Sequence, residues 1–92
     1  MERKRDKVNH FMADFLEIPR DLVLNLPKLT VIGAREVFVE NHRGIMEYQE
    51  DRIRINLARG YLEITGSDLE IKAILPDEMS IIGLVRSINF VE

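Results

Sequence analysis

Hydrophobic residues in the first part of the chain recur at the spacing of one helical face. They are Val8, Phe11, Met12, Phe15 and Leu16. Positions i, i+3, i+4, i+7 and i+8 lie on one side of an α-helix, so this spacing predicts an amphipathic helix over residues 3–17. Pro19 ends it, because proline has no N–H to donate and disfavours helical geometry at the residue before it. Residues 20–26 are interpreted as a short helical turn or an extended connector that Pro27 closes.

From residue 28 onward, apolar and polar residues alternate over short stretches separated by turn residues, which is typical of half-buried β-strands. A four-residue connection over residues 57–60 brings two such stretches together as an antiparallel hairpin. One face of the hairpin is then apolar, and the other carries an opposite-charge pair that favours the register by roughly 0.2–1 kcal/mol. The predicted pairs are Asn56 with Tyr61, Ile55 with Leu62, Arg54 with Glu63 and Ile53 with Ile64.

Neighbouring turns extend the same parity into a meander. They are predicted at Gly33, at residues 41–44, at Glu50–Asp51 and at Gly66–Ser67. A slip of one residue would move every side chain to the opposite face, so agreement between successive hairpins favours this register. The pairs include Val31 with Val37, Leu29 with Val39, Val39 with Met46, Tyr48 with Ile53, and Ile64 with Leu69. The predicted inner face consists of Leu29, Val31, Val37, Val39, Met46, Tyr48, Ile53, Ile55, Leu62, Ile64, Leu69 and Ile71.

The last strand is less regular than the others. Residues 75–78 form a predicted turn, and the parity of Met79, Ile81 and Val85 shifts before Ile88. This shift predicts a β-bulge near Arg86–Ser87. A bulge and a glycine, Gly83, within one strand give it the curvature needed to help close a sheet.

Together these patterns predict a mainly β, α+β fold. An N-terminal amphipathic helix packs on a curved antiparallel β-meander of about seven short strands, arranged as a partial barrel or a sandwich. The alternative is a β-solenoid-like stack, since Val37, Ile45, Ile53, Tyr61 and Leu69 recur roughly every eight residues. The chain is expected to be one domain, with residues 1–27 as helix and connector and residues 28–92 as the β body.

Composition limits the function classes. The 92 residues include no cysteine, which excludes disulfides, thiolate metal sites and thiol nucleophiles. The formal net charge is −3; the first ten residues hold four basic and two acidic groups, or +2, so the other 82 carry −5. An acidic body disfavours nucleic acid as a partner. The basic residues Arg3, Lys4, Arg5 and Lys7 make the arm a candidate membrane or partner contact. No apolar run is long enough to span a membrane, and no signal peptide is indicated.

Residues that could carry catalysis or bind metal are sparse. His10 and His42 lack the spacing of a zinc site. Glu47, Glu63 and Glu70 share one face with Arg52, Arg54 and Lys72, a mixture typical of a solvated sheet face. The sequence therefore predicts no enzyme, no cofactor and no metal.

Three apolar residues, Phe38, Ile45 and Tyr61, fall on the outer face of the predicted sheet. Either a sandwich buries both sides of the sheet, or these residues form a partner-binding patch or an oligomer contact. The alternation pattern leaves both interpretations open.

Several stretches resemble the YabP/YqfC family of sporulation proteins, most closely its YqfC branch. They are residues 17–33 (EIPRDLVLNLPKLTVIG), residues 40–45 (ENHRGI), residues 52–55 (RIRI) and residues 74–78 (ILPDE) with Ile81, Gly83, Ser87, Ile88 and Phe90 after them. The resemblance covers nearly all of the chain after the first dozen residues. It implies a small soluble protein made in the mother cell during endospore formation. It implies no catalytic residue.

The resemblance also implies a protein partner similar to the membrane-associated sporulation protein YqfD. Within the matching Asn41-His42-Arg43-Gly44 turn, Asn and Gly tolerate left-handed backbone conformations, so this turn is first a structural element. Asn41, His42 and Arg43 are also candidate partner contacts, because a hairpin tip displays side chains. The expected function is non-enzymatic protein–protein contact in the cytoplasm of the mother cell, extending to the periphery of the forespore membrane. The alternative is a β module that binds a small molecule or a lipid head group.

Overall fold

The computed structural model describes residues 26–92, which form an all-β fold of six strands. The strands are β1 (Lys28–Ile32), β2 (Glu36–Glu40), β3 (Ile45–Tyr48), β4 (Arg52–Asn56), β5 (Tyr61–Ile74) and β6 (Glu78–Val91). All belong to one antiparallel sheet in the order β1-β2-β6-β5-β4-β3.

This sheet corrects the predicted fold class. The described residues contain no helix, so the expected α+β arrangement is wrong for them, and the helix predicted over residues 3–17 lies outside them. The expected seven-stranded meander is also wrong, because β2 pairs with β6 rather than with β3. Antiparallel pairing of every strand rules out the solenoid-like alternative, in which strands stack in parallel.

Local hairpin registers were predicted correctly where the connection is short. All four predicted pairs between β4 and β5 are present, and β1 pairs with β2 as expected. In the β3–β4 hairpin, Glu47 faces Arg54 and Tyr48 faces Ile53, but a bulge then places Ile45 rather than Met46 opposite Ile55. Short loops fix these registers, because only a few conformations connect the two strands.

The predicted turn at Gly66–Ser67 is wrong, and the reason is close backbone packing. β5 runs continuously through these residues, and Gly66 pairs with Val85 of β6. A Cβ atom at Gly66 would collide with the carbonyl oxygen of Leu84. Glycine is needed here for close approach between the two strands β5 and β6, a role that sequence alone does not distinguish from a turn.

The long β5–β6 hairpin is folded back on itself. The amide of Arg43 donates to the carbonyl of Asn56, beside the start of β5, at 2.7 Å, and the neighbouring His42 ring lies 3.1 Å from the carbonyl of Leu75, just past the end of β5. A straight strand of this length would span roughly 43 Å, whereas adjacent residues lie only about 3.8 Å apart. The two ends of β5 can meet one short loop only if the strand bends sharply.

Three features produce the bend. Asp68 has φ +54° in β5, and Gly83 has φ +140° in β6. Arg86 is an extra residue in the ladder, since Thr65 pairs with Ser87 and Gly66 with Val85. This finding confirms the predicted bulge near Arg86–Ser87. Such irregularities bend strands because they interrupt the regular pleat.

The bend divides the sheet into two halves. The β1 half comprises β1, β2, residues 78–82 of β6 and residues 70–74 of β5. The β3 half comprises β3, β4, residues 61–65 of β5 and residues 87–91 of β6. Both contribute to one core of buried apolar side chains. The core consists of Val37, Val39, Ile53, Ile55, Leu57, Leu62, Ile64, Leu69, Met79 and Ile81.

Three members of the predicted inner face lie at the edges of the sheet instead of the core. Val31, Met46 and Tyr48 are 48%, 45% and 49% exposed, because β1 and β3 have a neighbouring strand on one side only. The Tyr48 hydroxyl accepts a hydrogen bond from the amide of Ile71 at 3.0 Å. The predicted inner face is therefore correct for the central strands, but it wrongly included Val31, Met46 and Tyr48 of the edge strands.

Candidate partner-binding surfaces

The loop at residues 41–44 is held by hydrogen bonds on several sides. Asn41 has φ +65°, its side-chain amide donates to the carbonyl of Leu26 at 2.8 Å, and its backbone amide donates to Asp77 at 2.7 Å. Asparagine is one of the few residues other than glycine that readily adopts this left-handed conformation. Asn41 therefore fixes the entry to the loop.

His42 is the one buried polar side chain among residues 26–92, with 5% exposure. Its Nδ1 atom lies 2.9 Å from the amide nitrogen of Gly44, which can only donate, so Nδ1 is the acceptor. The ring proton therefore lies on Nε2, which donates to the carbonyl of Leu75 at 3.1 Å. Both ring nitrogens are satisfied inside the protein. This arrangement connects the loop to the β5–β6 turn and leaves His42 no free atom for a ligand.

Arg43 has an exposed side chain, unlike Asn41 and His42, the two residues before it. It borders an open, mainly apolar groove of about 810 Å³, which we call the arginine groove. The second guanidinium at this groove belongs to Arg59, on the β4–β5 connection. Neither arginine forms an ion pair with another described residue. The groove is lined by Leu26, Pro27, Arg43, Leu57, Ala58, Arg59, Phe90, Val91 and Glu92.

A second groove, of about 370 Å³, lies on the outer face of the β1 half, and we call it the Phe38 groove. Strand register places Thr30, Phe38, Ser80 and Ala73 in one row across four strands. The next row contains Lys28, Glu40 and Glu78. Glu40 and Lys28 also approach each other at 3.8 Å, with 42% and 74% of their side chains exposed. An ion pair so exposed contributes little.

The two grooves lie on either side of the loop at residues 41–44. Glu40 and Lys28 line the Phe38 groove, whereas Arg43 and Pro27 line the arginine groove. His42, between them, is bonded to Leu75, which also lines the Phe38 groove. The loop therefore lies between a groove lined by two glutamates and one lysine and a groove lined by two arginines and one glutamate.

The outer face of the β3 half carries a closed network of charges. Arg52 donates to Glu47 at 2.9 Å, Arg54 lies 3.3 Å from Glu47, and Arg54 Nε donates to Glu63 at 2.9 Å. The hydrogen bond to Glu63 raises the pKa of Arg54, with Glu47 adding to the effect. The Arg54 guanidinium also lies 5.6 Å from the ring centre of Tyr61. Each charge in this network has a partner.

The three outward apolar residues singled out in the sequence lie in different surroundings. Phe38 lines the groove on the β1 half, whereas Tyr61 lies beneath Arg54 on the β3 half. Ile45 is 38% exposed on β3, the edge strand. Neither Ile45 nor Tyr61 lines the Phe38 groove. The basic residues Arg3, Lys4, Arg5 and Lys7 lie outside the described residues.

Sequence reasoning missed Arg59 and Phe90 of the arginine groove and Glu40 and Glu78 of the Phe38 groove. Glu40 meets Glu78 through the β2–β6 pairing, and Phe90 comes beside Arg59 through the β5–β6 pairing, so sequence spacing carries no signal for their proximity. Within residues 26–92, no three histidine or carboxylate side chains cluster closely enough to bind a metal ion. The same residues include no helix that could span a lipid bilayer.

The fold and its two grooves define a small all-β domain with an ordered loop between surfaces of opposite charge. The YabP family model matches residues 25–92, and the chain belongs to that family. Over its full 92 residues it is 34% identical to the protein YqfC of Bacillus subtilis (strain 168), of which 99% is covered. These matches confirm the resemblance seen in the sequence.

Proposed function

We propose that the chain is a non-enzymatic sporulation protein that acts in the mother cell by contact with a membrane-associated sporulation protein similar to YqfD. The observation that carries this proposal is the arginine groove beside the ordered loop at residues 41–44. Family membership supports the sporulation role. The groove supports contact with a partner as the way in which that role is carried out.

The groove has the composition of a protein-binding site. Its floor contains the buried Leu57 and the side chain of Phe90, which is 59% exposed. Arginine and large aromatic residues are enriched where binding energy is concentrated. Two guanidinium groups beside an apolar floor suit a partner segment that combines apolar side chains with carboxylates, which arginine binds through paired hydrogen bonds.

The hydrogen-bonded loop at residues 41–44 contributes by holding the backbone of Arg43 in one position. A flexible arginine loses conformational entropy when it is immobilised in a complex, and this loss weakens binding. The backbone of Arg43 is already fixed by its bond to Asn56 and by its neighbours, Asn41 and His42. We therefore assign Asn41 and His42 to positioning and Arg43 to direct contact.

The N-terminal arm is the second part of this proposal. Residues 1–27 would precede the β body of residues 28–92, and the arm's basic residues would contact anionic lipid or the partner. The proposed location is the mother-cell cytoplasm at the periphery of the forespore membrane. Cell fractionation of sporulating cells tests this location, since a purely soluble distribution would contradict it.

The test of the partner is crosslinked co-purification from sporulating Bacillus subtilis that makes the tagged chain in place of YqfC. We expect a membrane-associated sporulation protein to be recovered. The double variant Arg43→Glu/Arg59→Glu should reduce its recovery at least fivefold, because it reverses the charge of the groove. Arg86→Glu, a charge reversal at an exposed arginine on the β6 bulge, is the control outside the groove and should recover it normally.

Equal recovery with both variants would contradict the arginine groove as the contact. Absence of any membrane sporulation protein, together with a co-purifying metabolite, would contradict the proposed function. Circular dichroism of each purified variant distinguishes a lost contact from a lost fold.

The second candidate function is the binding of a lipid head group or a small anionic molecule. The observation that favours it is the size of the same groove, about 810 Å³, with two guanidiniums at its border. Co-sedimentation with vesicles of phosphatidylglycerol and phosphatidylcholine tests it. Binding lost in Arg43→Glu/Arg59→Glu but kept in Arg86→Glu would favour this function over protein contact.

A further inference from the structure

The outer face of the β1 half carries more acidic than basic side chains, and its cations are Lys28 of β1 and the exposed Lys72 of β5. Register places Glu36, Glu40, Glu70 and Glu78 on this face, around the row that contains Phe38. Among the described residues, the ion pairs of this face consist of the exposed Lys28–Glu40 contact alone. Four carboxylates against two lysines leave this face with a net negative charge around an apolar groove.

The groove at the centre of this face is apolar and unfilled by its neighbours in the sheet. Phe38 is half-buried, and the exposed Ala73 and Leu75 contribute further apolar surface. Leu75 and the adjacent Ile74 are 54% and 51% exposed. Exposed apolar groups that converge on a groove with a polar rim are typical of a protein-binding site.

The dimensions of the groove indicate what kind of segment it takes. Its central row crosses four strands, and three spacings between strands amount to about 14 Å. That distance is the length of about ten residues of α-helix. Lysine or arginine on the sides of such a helix would reach the carboxylates at the edges of the groove, and its apolar stripe would contact Phe38.

We infer that the Phe38 groove is a docking site for a basic amphipathic helix of a partner protein. This site is distinct from the arginine groove, which has the opposite charge and suits an acidic segment. The chain would then present two surfaces, one on each side of the loop at residues 41–44. The inference does not depend on the proposed function, since a different partner or a different segment of one partner could occupy each groove.

The first test is titration of the full-length, isotope-labelled chain with a synthetic lysine–leucine peptide that forms about three turns of amphipathic helix. A peptide of identical composition, shuffled to remove the apolar stripe, is the control. Amide signals of Phe38, Ala73 and Ser80 should shift with the amphipathic peptide and stay in place with the shuffled one. Shifts centred on Arg43, Arg59 and Phe90 would overturn the inference, as would absence of binding.

The second test asks whether peptide binding depends on the carboxylates at the groove or only on the net charge of the chain. Glu40→Lys/Glu78→Lys and Glu50→Lys/Asp51→Lys change the net charge equally, but Glu50 and Asp51 lie in the exposed β3–β4 turn. We expect the first pair to weaken peptide binding about tenfold and the second less than twofold. Equal weakening would show only a general attraction and would overturn the site.

A variant without charge change tests the apolar part. Phe38→Ala should weaken peptide binding at least fivefold, and Leu75→Ala, at an exposed position of the same groove, gives a second uncharged variant if the first does not fold. Signals in the groove that shift with protein concentration in the absence of peptide would identify a second copy of the chain as the occupant and overturn the inference. Normal recovery of the membrane protein by Glu40→Lys/Glu78→Lys would separate this site from the proposed function.

Discussion

The β1 half and the β3 half have similar inner faces and very different outer faces. Val37 and Val39 in the first and Ile53 and Ile55 in the second are all completely buried. On the outside, the β3 half pairs its arginines and glutamates with one another, whereas most acidic residues of the β1 half have no described cationic partner.

This difference indicates that the outer charges of the β3 half contribute to stability, whereas those of the β1 half are available to bind a partner. A charge that is already paired and hydrogen-bonded has little to gain from a partner, because a new contact must first break the old one. Carboxylates without such partners keep their full attraction for an approaching cation. The β3 half is therefore a framework, and the β1 half offers the surface that a basic partner would recognise.

The largest expected effect tests the similarity of the two inner faces. Ile53→Asp and Val39→Asp should each abolish folding, because each buries an unpaired charge at a site with 0% exposure, and a cost above about 4 kcal/mol exceeds most of the stability of a small domain. Thermal unfolding followed by circular dichroism measures this. Ile45→Asp and Val31→Asp, at exposed edge positions, are the matched controls. Melting temperatures equal to those of the controls would disprove the shared core.

An intermediate effect is expected at the bend that joins the halves. Gly66→Ala should lower the free energy of unfolding by about 2–4 kcal/mol, because the new methyl group meets the backbone of Leu84, which cannot move without opening the hairpin. Gly33→Ala is the control: Gly33 has a left-handed backbone with φ +57°, but nothing lies within 4 Å of the added atom. It should cost about 1 kcal/mol. Chemical denaturation measures both variants, and the reverse order would contradict the close β5–β6 approach.

The smallest effect tests the contrast between the outer faces. Arg54→Met should lower the free energy of unfolding slightly, and more than Glu78→Gln does, because it leaves Glu47 with only Arg52 and leaves Glu63 unpaired on a partly exposed surface. Glu78→Gln should change the free energy of unfolding by less than about 0.5 kcal/mol. In 1 M salt the difference between the two variants should narrow, because ions screen exposed charges. If Arg54→Met and Glu78→Gln lowered the free energy of unfolding equally at low salt, the proposed difference between the outer faces of the two halves would be wrong.

Part of this structure could be predicted because some contacts are local in sequence. The β4–β5 register followed from the four-residue connection, the alternation of Ile53 and Ile55, and the complementary charges of Arg54 and Glu63. The bulge at Arg86 followed from a shift of parity within one strand. Pairing between β2 and β6 could not be predicted in this way, because the two strands are separated by three others in the chain and carry no pattern that specifies each other.

The candidate surfaces show the same limit. The tendency of Asn41 and Gly44 to form a turn was readable, but the burial of His42 depends on Leu75, 33 residues further along the chain. Arg43 comes beside Arg59 through its backbone bond to Asn56, but only the pairing of β6 with β5 adds Phe90 to the same groove.

By itself the sequence determined the β class of residues 28–92, the short hairpins, the sides of the central strands that face inward and membership in the YabP family. The tertiary structure alone decided that Gly66 permits close approach instead of a turn, that the sheet folds on itself, and that grooves of opposite charge lie on either side of one loop. The physical reason is that alternation and turn chemistry act between near neighbours. The bend of β5 and β6, in contrast, gains its stability from burial shared by residues distant in sequence.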